Sequence, residues 1–405
     1  MKKLLALCLL LLLCMICASA EPARDITDEC TFQMPYIATK LKYMTDRNYE
    51  TVTESKELLE PNLLITPGET PVAGVYVEFG KSRLPFLVQV KEGKEWVTIA
   101  SGGGYYAQEY VAFQPQEKTF RLKFITNGYA ECLRISEITL LSPGEIDRDK
   151  IHIWHDTVGK ADLMITVAHP DDELLWLGGC IPYYAAERNM NVLVTYLTCG
   201  KSCRELELLN GLWHCGVRHY PAIAYLPDFK AYNAEAVYER WDRSQLYQYL
   251  VRLIREHKPE VIVTHDFKGE YGHAQHVACA YSTLRAVEYA VNPEYNTYSA
   301  NKYGTWQVKK LYVHLGEEYT TFVDWHQPLK AFEGKSGFEI ACEAYQMHIS
   351  QMDGSTYYDV ADRGTDYDSF IFTLVQSTVG MDVKGGDLFE NIQPEDLTST
   401  YYKFE

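Results

Sequence analysis

The stretch LMITVAHPDDELL, residues 163–175, decides the fold of the second half of this chain. Its first six residues form a run that is typical of a buried β-strand. A histidine, a proline, two aspartates and a glutamate follow at once, and the residues after them begin a helical pattern. The stretch therefore predicts a strand, a tight turn crowded with ionisable side chains, and a helix.

The same alternation of strands and helices continues as far as residue 290. Further strands are predicted at 191–198, 220–226 and 259–265, and helices at 172–189, 203–216, 234–257 and 274–290. This order is typical of an α/β domain in which a mostly parallel sheet carries helices on both faces. In such a sheet reactive side chains gather outside the carboxyl ends of the strands, where residues 169–173 lie.

Residues 71–142 have a different pattern, made of short alternating runs that Gly, Pro, Asn and Lys separate. This spacing predicts a small antiparallel β-sandwich. The run LRISEITLL and the pair EWVTIA and QEYVAF resemble a discoidin-like, galactose-binding jelly roll. Such domains often bind sugars through aromatic residues on loops, which makes Tyr105, Tyr106 and Tyr110 candidates. The alternative is that these tyrosines pack the sandwich and the domain is a spacer.

The first twenty residues predict a secretory signal peptide. Lys2 and Lys3 precede an apolar run at 4–18, and the small residues at 18–20 form a cleavage site. The run is short for a membrane span, with an uncleaved anchor as the alternative. We therefore expect a secreted or otherwise extracytoplasmic protein, at the cell surface or in the periplasm, with no stable membrane span after cleavage.

The expected domain organisation follows from these patterns. A signal peptide at 1–20 precedes an N-terminal region at 21–148, which has a helical pattern around 36–49 and a jelly-roll-like sandwich at about 71–142. The α/β domain then spans 149–405. The formal net charge of the chain is −17 at pH 7. A surface this acidic argues against nucleic acid or anionic lipid as a partner.

The acids and histidines of two stretches predict a metal site. His169 and Asp172 are three residues apart in a tight turn, so both can face one ion. Imidazole and carboxylate ligands suit zinc, with iron(II) or another divalent metal as the alternative. A third ligand is expected from THDFKGEYGHAQHVACA, residues 264–280, where His273 and His276 lie one helical turn apart.

Three protein ligands with an open position are typical of a catalytic metal site. A metal there lowers the pKa of bound water towards ~7. Asp171, between the first two ligands, can accept the water's proton, and a histidine opposite can stabilise the oxyanion or protonate the leaving amine. These groups suit metal-assisted hydrolysis of an amide or ester. Taken singly, a histidine at a strand end is more often a hydrogen-bonded cap, and DDE is commonly a helix N-cap.

Together the motifs resemble one enzyme family. AHPDDE followed by LGG, then LTCGKSCRELE, YLPD, KPEVIVTHD, EYGHAQH and QMHISQ, is similar to the LmbE-like, or PIG-L-type, de-N-acetylases over roughly residues 160–375. The resemblance implies a zinc-dependent enzyme with a Rossmann-like fold that removes acetyl groups from N-acetylglucosaminyl compounds.

Carried over by position, the resemblance assigns roles to eight residues. It implies that His169, Asp172 and His276 are the zinc ligands and that Asp171 is the general base. It implies that His273 stabilises the tetrahedral intermediate and that Tyr271 assists at the carbonyl. Arg204 and Asp228 match positions that hold substrate hydroxyls or head groups.

Two positions depart from the family's pattern. The family commonly has GHPDH where this chain has GHAQH, so Gln275 replaces an acid that would support the ligand histidines from behind. Because such partners tune ligand orientation and metal affinity, this change bears on how strongly the metal is held. Lys201 and Ser202 stand where the family often has Glu or Asp, which bears on the substrate.

The sequence therefore favours a secreted, zinc-dependent de-N-acetylase that acts on an N-acetylated amino sugar or glycoconjugate. One alternative is another metal amidohydrolase, which cleaves a different acyl group or a non-sugar amide. The other is a carbohydrate-binding surface protein with an idle hydrolase domain. Asp171 argues against the last, because an idle domain has no reason to keep the base.

Overall fold

The computed structural model describes residues 21–34, 40–55, 61–80, 82–126, 133–316, 318, 320–352 and 358–399. The predicted signal peptide at 1–20 lies outside the described residues. The chain divides into two compact units, residues 1–153 and 154–405. In the part of the chain that is described, every helix is too short or too polar to cross a membrane.

The first unit consists of two antiparallel sheets. Its strands are β1 (Thr31–Gln33), β2 (Thr53–Ser55), β3 (Asn62–Thr66), β4 (Val72–Phe79), β5 (Phe86–Glu92), β6 (Glu95–Gly102), β7 (Gln108–Gln116), β8 (Phe120–Phe124) and β9 (Leu133–Leu141). One sheet has the order β1-β3-β8-β5-β6 and the other β2-β9-β4-β7.

Alternating burial shows how these strands form one core. In β8 the side chains of Phe120, Leu122 and Phe124 are fully buried, while Arg121 and Lys123 between them point outward. Apolar residues of both sheets join the same buried cluster. Inward-facing apolar residues from two sheets are the mark of a β-sandwich, so that prediction is confirmed.

The strands begin earlier in the chain than their sequence pattern indicates. The first three strands lie at 31–66, before the alternating runs, and the helix predicted around 36–49 was wrong for the described residues 40–49. There the only helical segment is a 3-10 turn at Leu41–Met44. Strands of three to five residues are too short to show a clear period of two in the sequence. The positions of β2 and β3 are instead fixed by their pairing with β9 and β8.

The three tyrosines proposed for sugar binding lie in different settings. Tyr105, after β6, is 78% exposed, and Tyr106 is half-buried. Tyr110 belongs to β7 and lies against Gly74 of β4, where a Cβ would meet the ring at 2.7 Å. Tyr110 therefore has a packing role, against Gly74 and the small cluster of Tyr76 and Leu141 rather than in the core between the sheets. Sugar binding by this unit stays a prediction.

Two buried glutamates make the stability of the first unit depend on pH. Glu78 on β4 and Glu137 on β9 lie opposite each other, and each is 6% exposed. Burial raises the pKa of Glu78 from 4.5 to about 7 and that of Glu137 to about 8. At pH values between the usual glutamate pKa of 4.5 and these raised values, the two carboxyl groups stay protonated in the folded unit but lose their protons in the unfolded chain. We therefore expect stability to fall as the pH rises from 4.5 through about 8.

Replacing Glu78 by glutamine removes one of these ionisations. Glu78→Gln is expected to raise the melting temperature of the first unit at pH 8 by on the order of 5 °C and to change it little at pH 5. Differential scanning calorimetry at both pH values measures this, with the exposed Glu95→Gln on β6 as the control. Equal wild-type melting temperatures at pH 5 and pH 8 would show that burial does not raise the pKa values of Glu78 and Glu137.

The second unit contains a seven-stranded sheet. Its strands are β10 (Leu163–Val167), β11 (Val192–Thr198), β12 (Ala222–Leu226), β13 (Val261–Thr264), β14 (Lys310–His314), β15 (Thr320–Phe322) and β16 (Ile371–Ser377). The order is β12-β11-β10-β13-β14-β16-β15. The first five strands in this order are parallel, and β16 is antiparallel to both of its neighbours. The predicted mostly parallel, Rossmann-like sheet is confirmed.

The strand order reverses at β10. From β10 the chain adds β11 and β12 on one side and then β13 and β14 on the other. Ligand sites of open α/β sheets lie at such a reversal, in the crevice outside the carboxyl ends of the strands. His169 follows β10 and His265 follows β13, so both motif-bearing stretches meet at this crevice.

Helices cover both faces of this sheet. They are α1 (Asp172–Leu175), α2 (Ser202–His214), α3 (Ala234–Trp241), α4 (Arg243–His257), α5 (Ala274–Ala290), α6 (Thr297–Tyr303) and α7 (Gly337–Tyr345). Met164 and Leu193 pack in one core with α3, α4 and α5. Their neighbours Ile165 and Val194, equally buried, point to the opposite face, where α2 and α7 contact each other.

The helix predicted at 172–189 is interrupted. Only α1 and a π-helix at Pro182–Glu187 form within it. Between them Gly178 has a φ of 51°, and a Cβ there would lie 2.4 Å from Ser369 Oγ. A close approach between distant segments therefore overrides the helical pattern, and glycine permits it.

The helix predicted at 234–257 is also two helices, α3 and α4, that meet at Asp242. Asp242 has a φ of 48°, and its carboxylate accepts the backbone N–H groups of Ser244 and Gln245. The aspartate thus caps a new helix where the apolar period continues without a break.

Candidate metal centre and active site

The turn after β10 places Asp171 in a rare backbone conformation, with φ 106° and ψ −29°. Its N–H donates to Glu173 Oε2 at 3.0 Å, and its carbonyl accepts from the N–H groups of Leu174 and Leu175 at 2.9 Å, which begins α1. Its carboxylate accepts no backbone N–H of this helix, so it does not form the side-chain N-cap that is the alternative interpretation of DDE. Backbone strain of this kind concentrates at functional sites.

Three predicted ligands converge at the end of β10. Nδ1 of His169 lies 3.0 Å from Oδ2 of Asp172, and Nε2 of His276 lies 3.2 Å from Oδ1 of Asp172 and 3.2 Å from His169 Nδ1. All three side chains are buried. Ligand atoms that share one zinc ion at about 2.1 Å in tetrahedral geometry lie about 3.4 Å apart, so this spacing is close to what zinc needs.

Hydrogen bonds behind the two imidazoles decide which nitrogen faces the centre. His169 Nε2 donates to Gln275 Oε1 at 2.7 Å, and His276 Nδ1 donates to Glu270 Oε2 at 2.7 Å. His169 Nδ1 and His276 Nε2 therefore carry lone pairs. Two lone pairs at 3.2 Å, beside the Asp172 carboxylate, repel one another unless a proton or a cation lies between them. The donor set thus fits a divalent metal such as zinc.

Other histidines lie within reach of the same centre. In the described residues two groups of three have donor atoms within 4.8 Å of one another: His169, His273 and His276, and Asp172, His265 and His276. His265 is not free to act as a ligand, because both of its nitrogens are used. Nδ1 donates to Glu270 Oε2 at 2.7 Å, and Nε2 accepts the Ala168 N–H at 3.0 Å.

His273 is the N-cap residue of α5. Its Nδ1 accepts the Gln275 N–H at 3.3 Å, which leaves Nε2 as the donor of the neutral ring. Burial lowers the pKa of His273 to about 3, and charge on His169 and His276 acts in the same direction. A neutral ring can still donate its N–H to an oxygen that gains negative charge.

Arg204 and Asp228 reach the site from the neighbouring strands. Arg204 is in the first turn of α2, after β11, and Asp228 follows β12. Arg204 Nη2 lies 3.1 Å from Asp171 Oδ2, and Arg204 Nη1 lies 3.9 Å from Asp228 Oδ2. Burial raises the pKa of Asp171 to about 7, and the positive charge of Arg204 opposes this rise. The fold therefore places Arg204 beside the predicted base, and Asp228 near Arg204 and the ligand His169.

Four aromatic side chains line the site, and we call them the aromatic wall: Trp176, Tyr271, Tyr358 and Tyr367. The rings of Tyr271 and Tyr358 stack at 5.1 Å and 17°, and they are 42% and 37% exposed. Trp176 is buried and contacts the rings of Tyr358 and Tyr367 at 5.8 and 5.6 Å. Its Nε1–H donates to Asp172 Oδ1 at 3.0 Å, so the wall adjoins the metal centre.

Sequence reasoning missed Glu270, Trp176, Tyr358 and Tyr367. A signal existed for the first two. A ligand histidine needs an acceptor behind its other nitrogen, and Glu270 is an acid in the same short stretch as His276. Trp176 lies four residues after Asp172, at the spacing that brings helical neighbours together. The two remaining tyrosines come from a distant segment and have no local signal.

Comparison with known proteins bears on the second unit. Residues 164–287 match the family model described as PIG-L: GlcNAc-PI de-N-acetylase. Residues 164–287 are a PIG-L/LmbE family domain. The resemblance inferred from the motifs is confirmed. The PIG-L domain contains all eight residues to which roles were assigned, whereas Tyr358 and Tyr367 of the aromatic wall lie beyond it.

Relatives of the PIG-L domain include curated deacetylases. The chain is 28% identical over 214 residues to a 1D-myo-inositol 2-acetamido-2-deoxy-alpha-D-glucopyranoside deacetylase 1 of Catenulispora acidiphila, with 45% of this chain and 64% of the relative covered. It is 31% identical over 179 residues to the deacetylase of that substrate from Mycobacteroides abscessus, with 37% and 58% covered. The chain therefore spans about three fifths of the length of these relatives.

Among solved structures, an N,N'-diacetylchitobiose deacetylase from Pyrococcus horikoshii is 18% identical, with 48% of this chain and 72% of that chain covered and a TM-score of 0.36. This likeness supports no conclusion about function.

Proposed function

We propose that the chain is a secreted, zinc-dependent de-N-acetylase that hydrolyses the acetamide of an N-acetylated amino sugar or glycoconjugate. The observation that carries this proposal is the convergence of His169, Asp172 and His276 within 3.2 Å inside a PIG-L domain, with the carboxylate of Asp171, which is not one of these ligands, in the same turn. The leader-like residues 1–20 support the extracytoplasmic part of the proposal.

In this proposal His169, Asp172 and His276 would hold zinc, which would supply a water whose pKa is lowered towards ~7 and would polarise the substrate carbonyl. Asp171 accepts the proton that the water gives up as its oxygen bonds to the carbonyl carbon. Arg204, at 3.1 Å, holds the Asp171 carboxylate in place for this transfer. His273 donates its Nε2–H towards the oxygen that gains charge. The C–N bond then breaks, the amine leaves with the proton from Asp171, and acetate is the second product.

The surroundings of the centre favour a sugar over a simple amide. A pyranose ring has hydroxyl groups at its edge and an apolar face of C–H groups, so it matches a site with both polar and aromatic surfaces. Here Arg204 and Asp228 supply the polar groups, and the exposed rings of Tyr271 and Tyr358 supply the aromatic surface. A non-sugar amide without hydroxyl groups would not need the charged side chains of Arg204 and Asp228 as hydrogen-bond partners.

Acetate release tests the proposal. The purified protein is incubated with N-acetylated mono- and oligosaccharides, and with N-acyl amino acids as non-sugar amides, with added zinc or with a chelator. Zinc-dependent release from a sugar supports the proposal. Release only from the non-sugar amides, or no release by a folded protein that holds one zinc, would favour another amidohydrolase. A folded protein that holds no zinc would favour an idle domain.

The aromatic wall gives a prediction about substrate binding. Tyr358→Ala is expected to raise KM for the sugar about fivefold to tenfold, because an aromatic contact of about 1 kcal/mol is lost, with little change in kcat. Tyr358→Phe keeps the ring and should retain the wild-type KM. Tyr298→Ala, at an exposed tyrosine on α6, is the control. An unchanged KM in Tyr358→Ala would remove this ring from the substrate surface.

A further inference from the structure

Glu270 is a buried acid behind the metal centre. It begins the 3-10 turn Glu270–Gly272 between β13 and α5, and its side chain is fully buried. The turn is tightly bent, because Gly269 has a φ of 68° and Tyr271 a φ of 46°. This backbone turns the carboxylate of Glu270 inward while the ring of Tyr271 stays on the surface.

The Glu270 carboxylate accepts hydrogen bonds from three histidines. Its Oε2 lies 2.7 Å from Nδ1 of His265 and 2.7 Å from Nδ1 of His276, and its Oε1 lies 2.7 Å from Nδ1 of His314. The Asp266 N–H also donates to Oε1 at 3.3 Å. These histidines lie at the end of β13, in α5 and at the end of β14. One carboxylate thus links three neighbouring elements behind the metal centre.

The consequence for His276 is a single tautomer. A carboxylate only accepts, so Nδ1 of His276 must carry the proton, and its Nε2 must present a lone pair to Asp172 and His169. His265, held by the same oxygen, is parallel to His276 with ring centroids 4.0 Å apart, which restricts rotation of the His276 ring.

The other ligand histidine has a weaker partner. His169 donates to the neutral amide oxygen of Gln275, which carries no charge. A hydrogen bond to a carboxylate makes an imidazole a stronger ligand than a hydrogen bond to an amide does. The negative charge behind the ligands is therefore at Glu270 rather than at residue 275.

We propose that Glu270 is a positioning residue that fixes the ring orientation and tautomer of His276 and thereby sets how tightly the site holds zinc. The proposal rests on the metal site of the proposed function. Gln275 leaves His169 as the weaker of the two imidazole ligands. Glu270 touches neither substrate nor metal and acts only through the histidines.

The test measures zinc affinity by competition with a chelating dye, without turnover. Glu270→Gln offers one acceptor oxygen to three N–H groups and is expected to weaken the zinc Kd by about 10–100-fold. Gln275→Glu places a carboxylate behind His169 and is expected to tighten it. Glu260→Gln is the matched control, because Glu260 is an equally buried acid just before β13 whose charged partners are Lys160 and Lys309, and its Kd should stay within about threefold of wild type.

A second readout separates positioning from loss of structure. Long-range ¹H–¹⁵N spectra of the zinc-loaded protein report which nitrogen of His276 carries the proton, and circular dichroism reports folding. We expect Nδ1–H in the wild type and a mixture of tautomers in folded Glu270→Gln. Wild-type affinity and a single tautomer in Glu270→Gln would overturn the inference. If Glu270→Gln does not fold, an unchanged Kd in Gln275→Glu overturns it. Failure of the wild type to bind zinc would instead overturn the proposed function.

Discussion

Replacing Asp171 by asparagine is expected to lower kcat for acetate release by about 10²–10⁴-fold while zinc stays bound. Asparagine has nearly the same shape as aspartate but cannot accept the proton of the attacking water. The ligand atoms of His169, Asp172 and His276 do not involve this side chain, so zinc affinity should change little. Steady-state kinetics and zinc content, measured on the same preparation, test both parts.

The control for Asp171→Asn is Asp156→Asn, at an exposed aspartate of the same unit. It should have wild-type kinetics. Retention of activity within about threefold in Asp171→Asn would mean that another group accepts the proton, because a general base contributes far more than that. Loss of zinc together with activity would instead make Asp171 part of the metal site.

Replacing His276 by asparagine is expected to remove stoichiometric zinc binding and to reduce activity to that of the chelator-treated enzyme. A catalytic zinc site has three protein ligands, and His276 is the one that joins α5 to the turn after β10. Zinc content after gel filtration and acetate release with excess zinc are the measurements. His326→Gln, at a histidine whose side chain is 43% exposed, is the control.

A His276→Asn protein that is folded and binds one zinc with wild-type affinity would contradict the assigned ligand set. In that case His273 is the replacement ligand to test, because its donor atom lies within 4.8 Å of those of His169 and His276. Circular dichroism of the variant is needed beside these measurements, since His276 is fully buried and its loss removes a hydrogen bond to Glu270.

The sequence by itself determined the α/β architecture and the edge of the sheet at which the predicted ligands lie. Both depend on local patterns: an apolar run before His169, another before His265, and a helical pattern after each. Parallel strands place their carboxyl ends at one edge, so two such stretches put their polar residues at the same edge of the sheet. Contact between His169, Asp172 and His276 also needs β10 and β13 to be neighbours, which the structure supplies.

Only the tertiary structure decided what surrounds the ligands. Which nitrogen of His276 faces the centre depends on Glu270, and His314 shares Glu270 with it only because β14 lies next to β13. The aromatic wall needs Tyr358, far along the chain, to stack on Tyr271. A periodic pattern tells which face of an element is buried, but not which side chain of a distant segment it meets. Such contacts are set by register and packing, and they determine the hydrogen bonds of every ligand.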